Sequence, residues 1–226
     1  MPHLLDNPAW NAYRSGNKDL ATGNEQALYL PLDISPFAGM KENSAEDFEQ
    51  LHNISPGNAA FGVITPDTLN VPAGWTILNR MEVLQMTNEV KPSERRIDNE
   101  LVALGGEHVP AMLALTKLTN PGPFSARTIE FGHYRGIFEG SELIAMAGQR
   151  LNPTPYAEIS AVCTHPDHTG KGYAADLMSY QINRIKAAGG IPFLHVLRTN
   201  ERAIGLYRSL GFTGRSELYV YVIKKG

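Results

Sequence analysis

A strand, a glycine turn and a long helix follow one another between residues 158 and 188, and this segment constrains the fold most. The run EISAVCT over 158–164 is rich in β-formers. Gly170 and Gly172 then introduce a helical pattern over 171–188, which stops at two further glycines. The first turn of a helix carries unpaired N–H groups, and glycine lets an anion approach them. The segment therefore predicts an α/β unit with an anion-binding turn.

The same alternation continues on both sides of this segment and predicts an α/β layer structure. Periodicity predicts helices over 44–51, 107–118 and 200–210, and strands over 26–32, 59–65, 75–87, 135–138, 143–148, 192–197 and 218–223. The polar, proline-containing stretch 89–99 is predicted to be a linker. We therefore expect an N-terminal α/β companion domain over 1–95 and a second domain over 97–226.

Composition narrows the possible partners and the compartment. The 226 residues carry 20 Lys and Arg against 23 Asp and Glu, a net charge of −3, which argues against a nucleic acid or an anionic membrane as the main partner. Cys163 is the single cysteine, so no disulfide within the chain can form. The first residues lack a signal-peptide pattern. We expect a cytoplasmic protein without a membrane span, acting as a monomer or a homodimer.

The sequence of the glycine turn differs from those of two known phosphate-binding loops. A Walker loop needs a glycine where His165 stands and a serine or threonine where Gly172 stands, so that interpretation fails. Ala175 can complete a dinucleotide-binding pattern, but the next strand ends in Arg198 rather than in an acid. A tight turn with no ligand would also explain two glycines by themselves.

A second motif further along the chain decides between these alternatives. Residues 199–212, TNERAIGLYRSLGF, closely resemble the N-x-x-A-x-x-L-Y-x-x-L-G-F helix of the GNAT superfamily of acetyl-CoA-dependent N-acyltransferases. Upstream, V-C-T-H-P-D-H-T-G-K-G-Y-A resembles that family's pyrophosphate loop. The resemblance covers about residues 97–226, which would be the catalytic domain, while the companion domain over 1–95 would be a degenerate copy of the same fold that lacks the glycine loop. It departs from the family pattern at Asp167 and at Thr169, where an arginine is common.

The resemblance implies an α/β fold of the α+β type. A mixed, mostly antiparallel central sheet would splay between residues 158–164 and 192–197, with helices on both faces. Acetyl-CoA would be the cosubstrate, with no metal. The backbone of Val162 and Thr164 would pair with the pantetheine arm in the splay. The side chain or backbone of Asn200, which also suits a helix cap, would lie beside that arm. Pyrophosphate contacts carry over to Thr169, Gly170, Lys171, Gly172 and Tyr173.

The resemblance also implies a reaction: direct attack of a primary amine on the thioester. Tyr207 would donate a proton to the departing thiolate. Glu158, at the start of the central strand, is the predicted general base; a surface acid is the alternative. Strand alternation predicts that Glu158 and Val162 share one face. The acceptor, a small-molecule or peptide amine, would bind near residues 115–135, and His133, Tyr134 and His195 are candidate lining residues.

Two other functions stay open at this point. A non-catalytic acyl-CoA sensor of the same fold is suggested by the departures at Asp167 and Thr169. A metallohydrolase is suggested by Cys163, His165 and His168, whose side chains are plausible zinc ligands. The sensor predicts binding of acetyl-CoA without release of CoA, and the hydrolase predicts stoichiometric zinc.

Overall fold

A large sheet of eight strands forms the centre of the molecule. The computed structural model describes residues 3–90, 92 and 95–226. Its α-helices are α1 (Pro8–Tyr13), α2 (Ala45–Ile54), α3 (Val109–Thr119), α4 (Tyr173–Ala187) and α5 (Glu201–Ser209). Its strands are β1 (Thr22–Gly23), β2 (Ala27–Tyr29), β3 (Ala38–Met40), β4 (Ala60–Thr65), β5 (Trp75–Thr87), β6 (Val102–Ala103), β7 (Arg135–Glu139), β8 (Glu142–Gln149), β9 (Tyr156–Thr164), β10 (Ile191–Leu197) and β11 (Thr213–Lys225).

The strand order of the large sheet is β4-β11-β5-β10-β9-β8-β7-β6, and β1 to β3 form a separate small sheet. Neighbouring strands of the large sheet run antiparallel except for β9 and β10, which are parallel. Met112 and Leu115 of α3 pack into one apolar core, and Leu177 and Met178 of α4 pack into others. Helices therefore cover both faces, and the predicted mixed, mostly antiparallel α/β fold is confirmed.

The parallel pairing of β9 and β10 is short. It extends only from Ile191 opposite Tyr156 to Phe193 opposite Glu158, although both strands continue beyond that point. The two strands consequently diverge towards the ends of β9 and β10, as predicted. The divergence leaves the backbone of the last residues of β9 unpaired on the side of β10.

A bulge in β9 reverses the side-chain alternation near the splay. Ala161 has a φ of 53°, and the register with β8 shifts between Met146 and Gly148. One extra residue in β9 moves the following side chains to the opposite face. Val162 accordingly packs against α4, while Cys163 packs into the core on the other face. The prediction that Glu158 and Val162 share a face is wrong, because strict alternation does not continue through the bulge.

The first 95 residues share the large sheet with the rest of the chain. β5 lies between β10 and β11 and pairs with both, while β4 pairs with β11. The division into folding units over 1–95 and 97–226 stays a prediction, and the shared sheet makes truncation the natural way to test it. No helix in the described part of the chain combines the length and the apolar character needed to cross a bilayer.

Candidate active site

A cavity of about 1040 Å³ opens where β9 and β10 diverge. Most of the predicted site residues line it, namely Val162, Thr164, Thr169, Gly170, Gly172, Tyr173, Asn200 and Tyr207. Lys171 and Glu158 are not among the described residues that line it. From the predicted acceptor region, residues 119–123 form part of the wall, and His195 contributes from β10. The splay, the glycine turn and α5 thus surround one space.

The glycine turn at one end of the cavity is an open cradle. Gly170 and Gly172 have φ values of 82° and 85°, in the left-handed region that side chains disfavour. A Cβ added to Gly170 would meet no atom within 4 Å, so the backbone there is accessible. Gly172 caps α4, a helix of 15 residues whose N-terminal N–H groups and dipole favour an anion.

Two polar side chains of the cavity wall, those of Thr164 and Asn200, differ in their hydrogen bonding. Thr164 lines the cavity, and its buried Oγ1 has no hydrogen-bond partner among the described residues. A buried hydroxyl without a partner is costly unless a ligand satisfies it. Asn200 accepts a hydrogen bond from the backbone N–H of Ala203 at 3.1 Å, which confirms its role as the cap of α5.

Comparison with known proteins gives the family of this fold and cavity. A family model described as FR47-like protein matches residues 134–221. A crystal structure from Novosphingobium aromaticivorans, assigned to the GNAT family of acetyltransferases, is 31% identical with a TM-score of 0.92. That likeness covers 100% of both chains. The chain belongs to the GNAT family.

Two further proteins resemble the chain, one in part of its sequence and one in its fold. The N-alpha-acetyltransferase RimI of Mycobacterium tuberculosis is 35% identical over 83 residues, which make up 35% of this chain. The match spans about half, 51%, of that curated relative. A GCN5-related N-acetyltransferase from Kribbella flavida is 16% identical, covers 96% of each chain and has a TM-score of 0.61, a likeness of fold.

Tyr207, on α5, lies in the cavity wall. Its ring packs against Phe212, with centroids 6.1 Å apart. Burial raises the pKa of Tyr207 to about 12, so the phenol keeps its proton at neutral pH. The side chain can therefore donate a hydrogen bond or a proton to an atom in the cavity.

Glu158, in contrast, is fully buried on β9 rather than at the surface. Oε1 accepts hydrogen bonds from Arg150 Nη2 at 2.6 Å and His195 Nδ1 at 2.8 Å. Oε2 accepts from Arg150 Nε at 3.0 Å and from the N–H of Leu151 at 3.2 Å. Burial alone would raise the pKa of Glu158, but the charges and hydrogen bonds of Arg150 and His195 outweigh it and hold the pKa well below its usual range.

The buried network continues from His195 to β5 and β11. Gln85 Nε2 donates to the carbonyl of Leu5 at 2.9 Å, and Arg215 Nε donates to Gln85 Oε1, so the amide orientation is fixed. The same Nε2 lies 2.9 Å from His195 Nε2, which must therefore accept. Nδ1 therefore carries a proton, which it donates to Glu158.

Arg150 is a site residue that no sequence motif indicates. Its guanidinium lies over the Phe37 ring, 4.8 Å from the centroid, and both residues line the cavity. Nε and Nη2 are engaged by Glu158, whereas Nη1 has no hydrogen-bond partner in the described part of the chain. The residue follows β8, far in sequence from either motif, and only the antiparallel pairing of β8 with β9 brings it to the site.

Of the other predicted candidates, Cys163 and His168 also line the cavity. His133 and Tyr134 are not among the described residues that line the cavity. The rings of His165 and His168 meet edge to face with centroids 5.4 Å apart, while Cys163 is buried on β9. Within the described residues, no group of three or more His, Cys, Asp or Glu side chains could hold a metal ion. No observation of the site favours the metallohydrolase.

Proposed function

We propose that the chain transfers the acetyl group of acetyl-CoA to a primary amine of a small molecule or a peptide. The observation that carries the proposal is the early end of the β9–β10 pairing at Glu158 and Phe193. Beyond that point the backbone of Val162 and Thr164 borders a cavity that continues to the glycine cradle. An extended pantetheine arm suits the unpaired strand edge, and a pyrophosphate suits the cradle.

In the proposed reaction the amine nitrogen attacks the thioester carbonyl carbon within a ternary complex, without an acyl-enzyme. A C–N bond forms, the C–S bond breaks, and Tyr207 gives its proton to the sulfur of the departing thiolate. The proton released by the amine returns to solvent, from which Tyr207 is reprotonated. The raised pKa supports this role, because the hydroxyl is present in its proton-donating form.

For Glu158 the geometry supports a positioning role better than the predicted role as general base. Each carboxylate oxygen already accepts two hydrogen bonds, and the group does not face the cavity. We propose that Glu158 positions Arg150 and His195, which do line the cavity, and that a water chain takes the amine proton. Loss of the acidic limb of the pH–rate profile in Glu158→Gln would support direct base catalysis instead.

We propose that the acceptor amine is attached to an apolar group and binds at an apolar end of the cavity. Phe37, Phe61, Ile64 and Met81 contribute to its wall, together with Arg150. The charge of Arg150 is already balanced by Glu158, so this end carries no net negative charge to attract a polycation. The name of the RimI relative describes an α-amine acetyltransferase, so peptide N-termini belong in the amine panel. A cytoplasmic location and a monomeric or homodimeric state stay predictions.

The test is to incubate the purified chain with acetyl-CoA and an amine panel and to measure free CoA thiol. Amine-dependent thiol release supports the transferase. Thermal stabilisation by acetyl-CoA without thiol release with any amine supports the sensor. If acetyl-CoA causes neither thiol release nor stabilisation, both proposals are overturned.

Gly170→Ala and Gly132→Ala form a matched pair, because both glycines have φ of 82° and open space beside them. Only Gly170→Ala should raise the KM for acetyl-CoA.

A further inference from the structure

A cation from outside the glycine turn lies beside it. A Cβ built on Gly172 would be 3.2 Å from Nη2 of Arg95. The guanidinium therefore lies close to Gly172, the residue that caps α4 and lines the cavity. Arg95 lies at the rim of the cradle rather than in the cavity wall. It precedes β6 and is 77 residues away from Gly172 in sequence, so no loop motif includes it.

Asp176 holds Arg95 in this place. Asp176 is 1% exposed in the first turn of α4, and its Oδ1 accepts a hydrogen bond from Arg95 Nε at 2.9 Å. Its Oδ2 accepts from Asn99 Nδ2 at 2.7 Å and from the N–H of Asp98 at 3.3 Å. Burial would raise the pKa of Asp176, but these hydrogen bonds outweigh it and lower the pKa. The ionised, anchored carboxylate thus fixes the direction of the guanidinium.

The residues of the turn itself supply little positive charge to the cradle. Thr169 stands where the GNAT pattern commonly has arginine, and its Oγ1 donates to the carbonyl of Pro166 at 3.2 Å. The Nζ of Lys171 lies 3.4 Å from His168 Nδ1, and Lys171 is not among the described residues of the cavity wall. A pyrophosphate carries negative charge that backbone N–H groups only partly neutralise, and a guanidinium matches phosphate geometry well.

We propose that Arg95 binds the pyrophosphate of acetyl-CoA, in place of the arginine that the turn lacks, and that Asp176 is its positioning residue. This inference rests on the proposed function. Arg95 supplies a charge-assisted contact at Gly172, and the buried Asp176 keeps the side chain ordered before the ligand binds. Because the contact is made to phosphate, it strengthens binding of the whole cosubstrate without touching the thioester.

Arg95→Ala and Arg96→Ala form the central comparison. Arg96 is the adjacent residue, with a side chain 91% exposed and paired with Asp98 at 3.0 Å. Calorimetry should show that Arg95→Ala weakens CoA binding about tenfold or more, whereas Arg96→Ala stays within about twofold of the unchanged chain. Dephospho-CoA, which keeps the pyrophosphate but lacks the 3′-phosphate, should show the same loss. S-acetylpantetheine, which lacks the pyrophosphate, should serve the unchanged chain and Arg95→Ala equally as an acetyl donor.

Two further variants test the arrangement itself. Adding Thr169→Arg to Arg95→Ala should restore most of the CoA affinity, since it places a guanidinium at the position that the GNAT pattern uses. Asp176→Asn should weaken CoA binding in the presence of Arg95 and have little further effect in Arg95→Ala. Equal CoA affinity in Arg95→Ala and the unchanged chain would overturn the inference, as would an equal loss with S-acetylpantetheine. If the unchanged chain does not bind CoA, the proposed function itself fails.

Discussion

The hydroxyl of Tyr207 is a single atom on which the proposed chemistry depends. Tyr207→Phe keeps the ring that packs on Phe212 and removes only the proton donor. We expect kcat to fall about 10²-fold or more, with the KM for acetyl-CoA changed less than about threefold. Because the pKa is about 12, the unchanged enzyme should lose no activity through Tyr207 ionisation between pH 6 and 10. Steady-state thiol release across this range measures both effects, and an unchanged kcat would remove Tyr207 from the mechanism.

The buried pair of Glu158 and Arg150 predicts a second effect at residue scale. Glu158→Gln leaves the guanidinium of Arg150 without a counter-charge, and we expect the free energy of unfolding at pH 7 to fall by about 3–5 kcal/mol. Glu217→Gln is the matched control, because it removes a carboxylate 2.8 Å from Arg198 at an exposed position and should cost much less. Urea denaturation of both variants at pH 7 makes the comparison.

The same pair determines how this stability depends on pH. The folded-state pKa of Glu158 lies below its unfolded value, so the folded state releases this proton more readily than the unfolded chain does. The stabilisation is therefore fully present above a pH of about 4.3, the unfolded value, and decreases as the pH falls further. The difference between the unchanged chain and Glu158→Gln should be constant from pH 6 to 8 and shrink at pH 3. A difference that grows on acidification would contradict this assignment.

The bulge in β9 places the side chains of Glu158 and Val162 on opposite faces of the strand. Ala161 has a left-handed φ of 53°, a conformation that costs an alanine about 1 kcal/mol relative to glycine. We expect Ala161→Gly to maintain or raise the midpoint of thermal unfolding. Ala157→Gly is the control: Ala157 lies opposite Pro192 in the paired part of the strand, where glycine should destabilise by about 0.5–1 kcal/mol. Loss of stability in Ala161→Gly equal to that in Ala157→Gly would show that the bulge carries no strain.

Strong periodicity and local cap chemistry made several elements predictable. β5 has the predicted limits, and the cap at Asn200 and the glycine turn before α4 are where the motifs place them. The predicted strand over 26–32 contains β2, whereas β1 and β3, of two and three residues, and α1, of six, are too short for a period to show and were not predicted. The bulge at Ala161 leaves no trace in the sequence because alanine, unlike glycine or asparagine, does not mark a left-handed position, so the orientation of Glu158 was beyond prediction. Arg150, Gln85 and Arg95 reach the site only through tertiary pairing.

At the scale of the whole molecule, the large sheet ties the two predicted parts together. β5 pairs along its length with β11 and along its second half with β10. One apolar core also combines Leu5, Leu30 and Phe37 from the first part with Phe193 and Leu218 from the second. Removing residues 1–96 would expose this core and leave two strand edges unpaired, which is unfavourable in water and promotes aggregation.

Thermal unfolding is monitored by circular dichroism. We expect residues 97–226 to show no cooperative transition when expressed alone, whereas the full chain should unfold in a single transition. Co-expression of 1–96 with 97–226 is the control, because the separate pieces can restore β5 between β10 and β11 and should recover acetyl-CoA binding. A cooperative transition and acetyl-CoA binding by 97–226 alone would support two folding units. In that case β9 and β10 would diverge and bind acetyl-CoA without the pairing of β10 with β5.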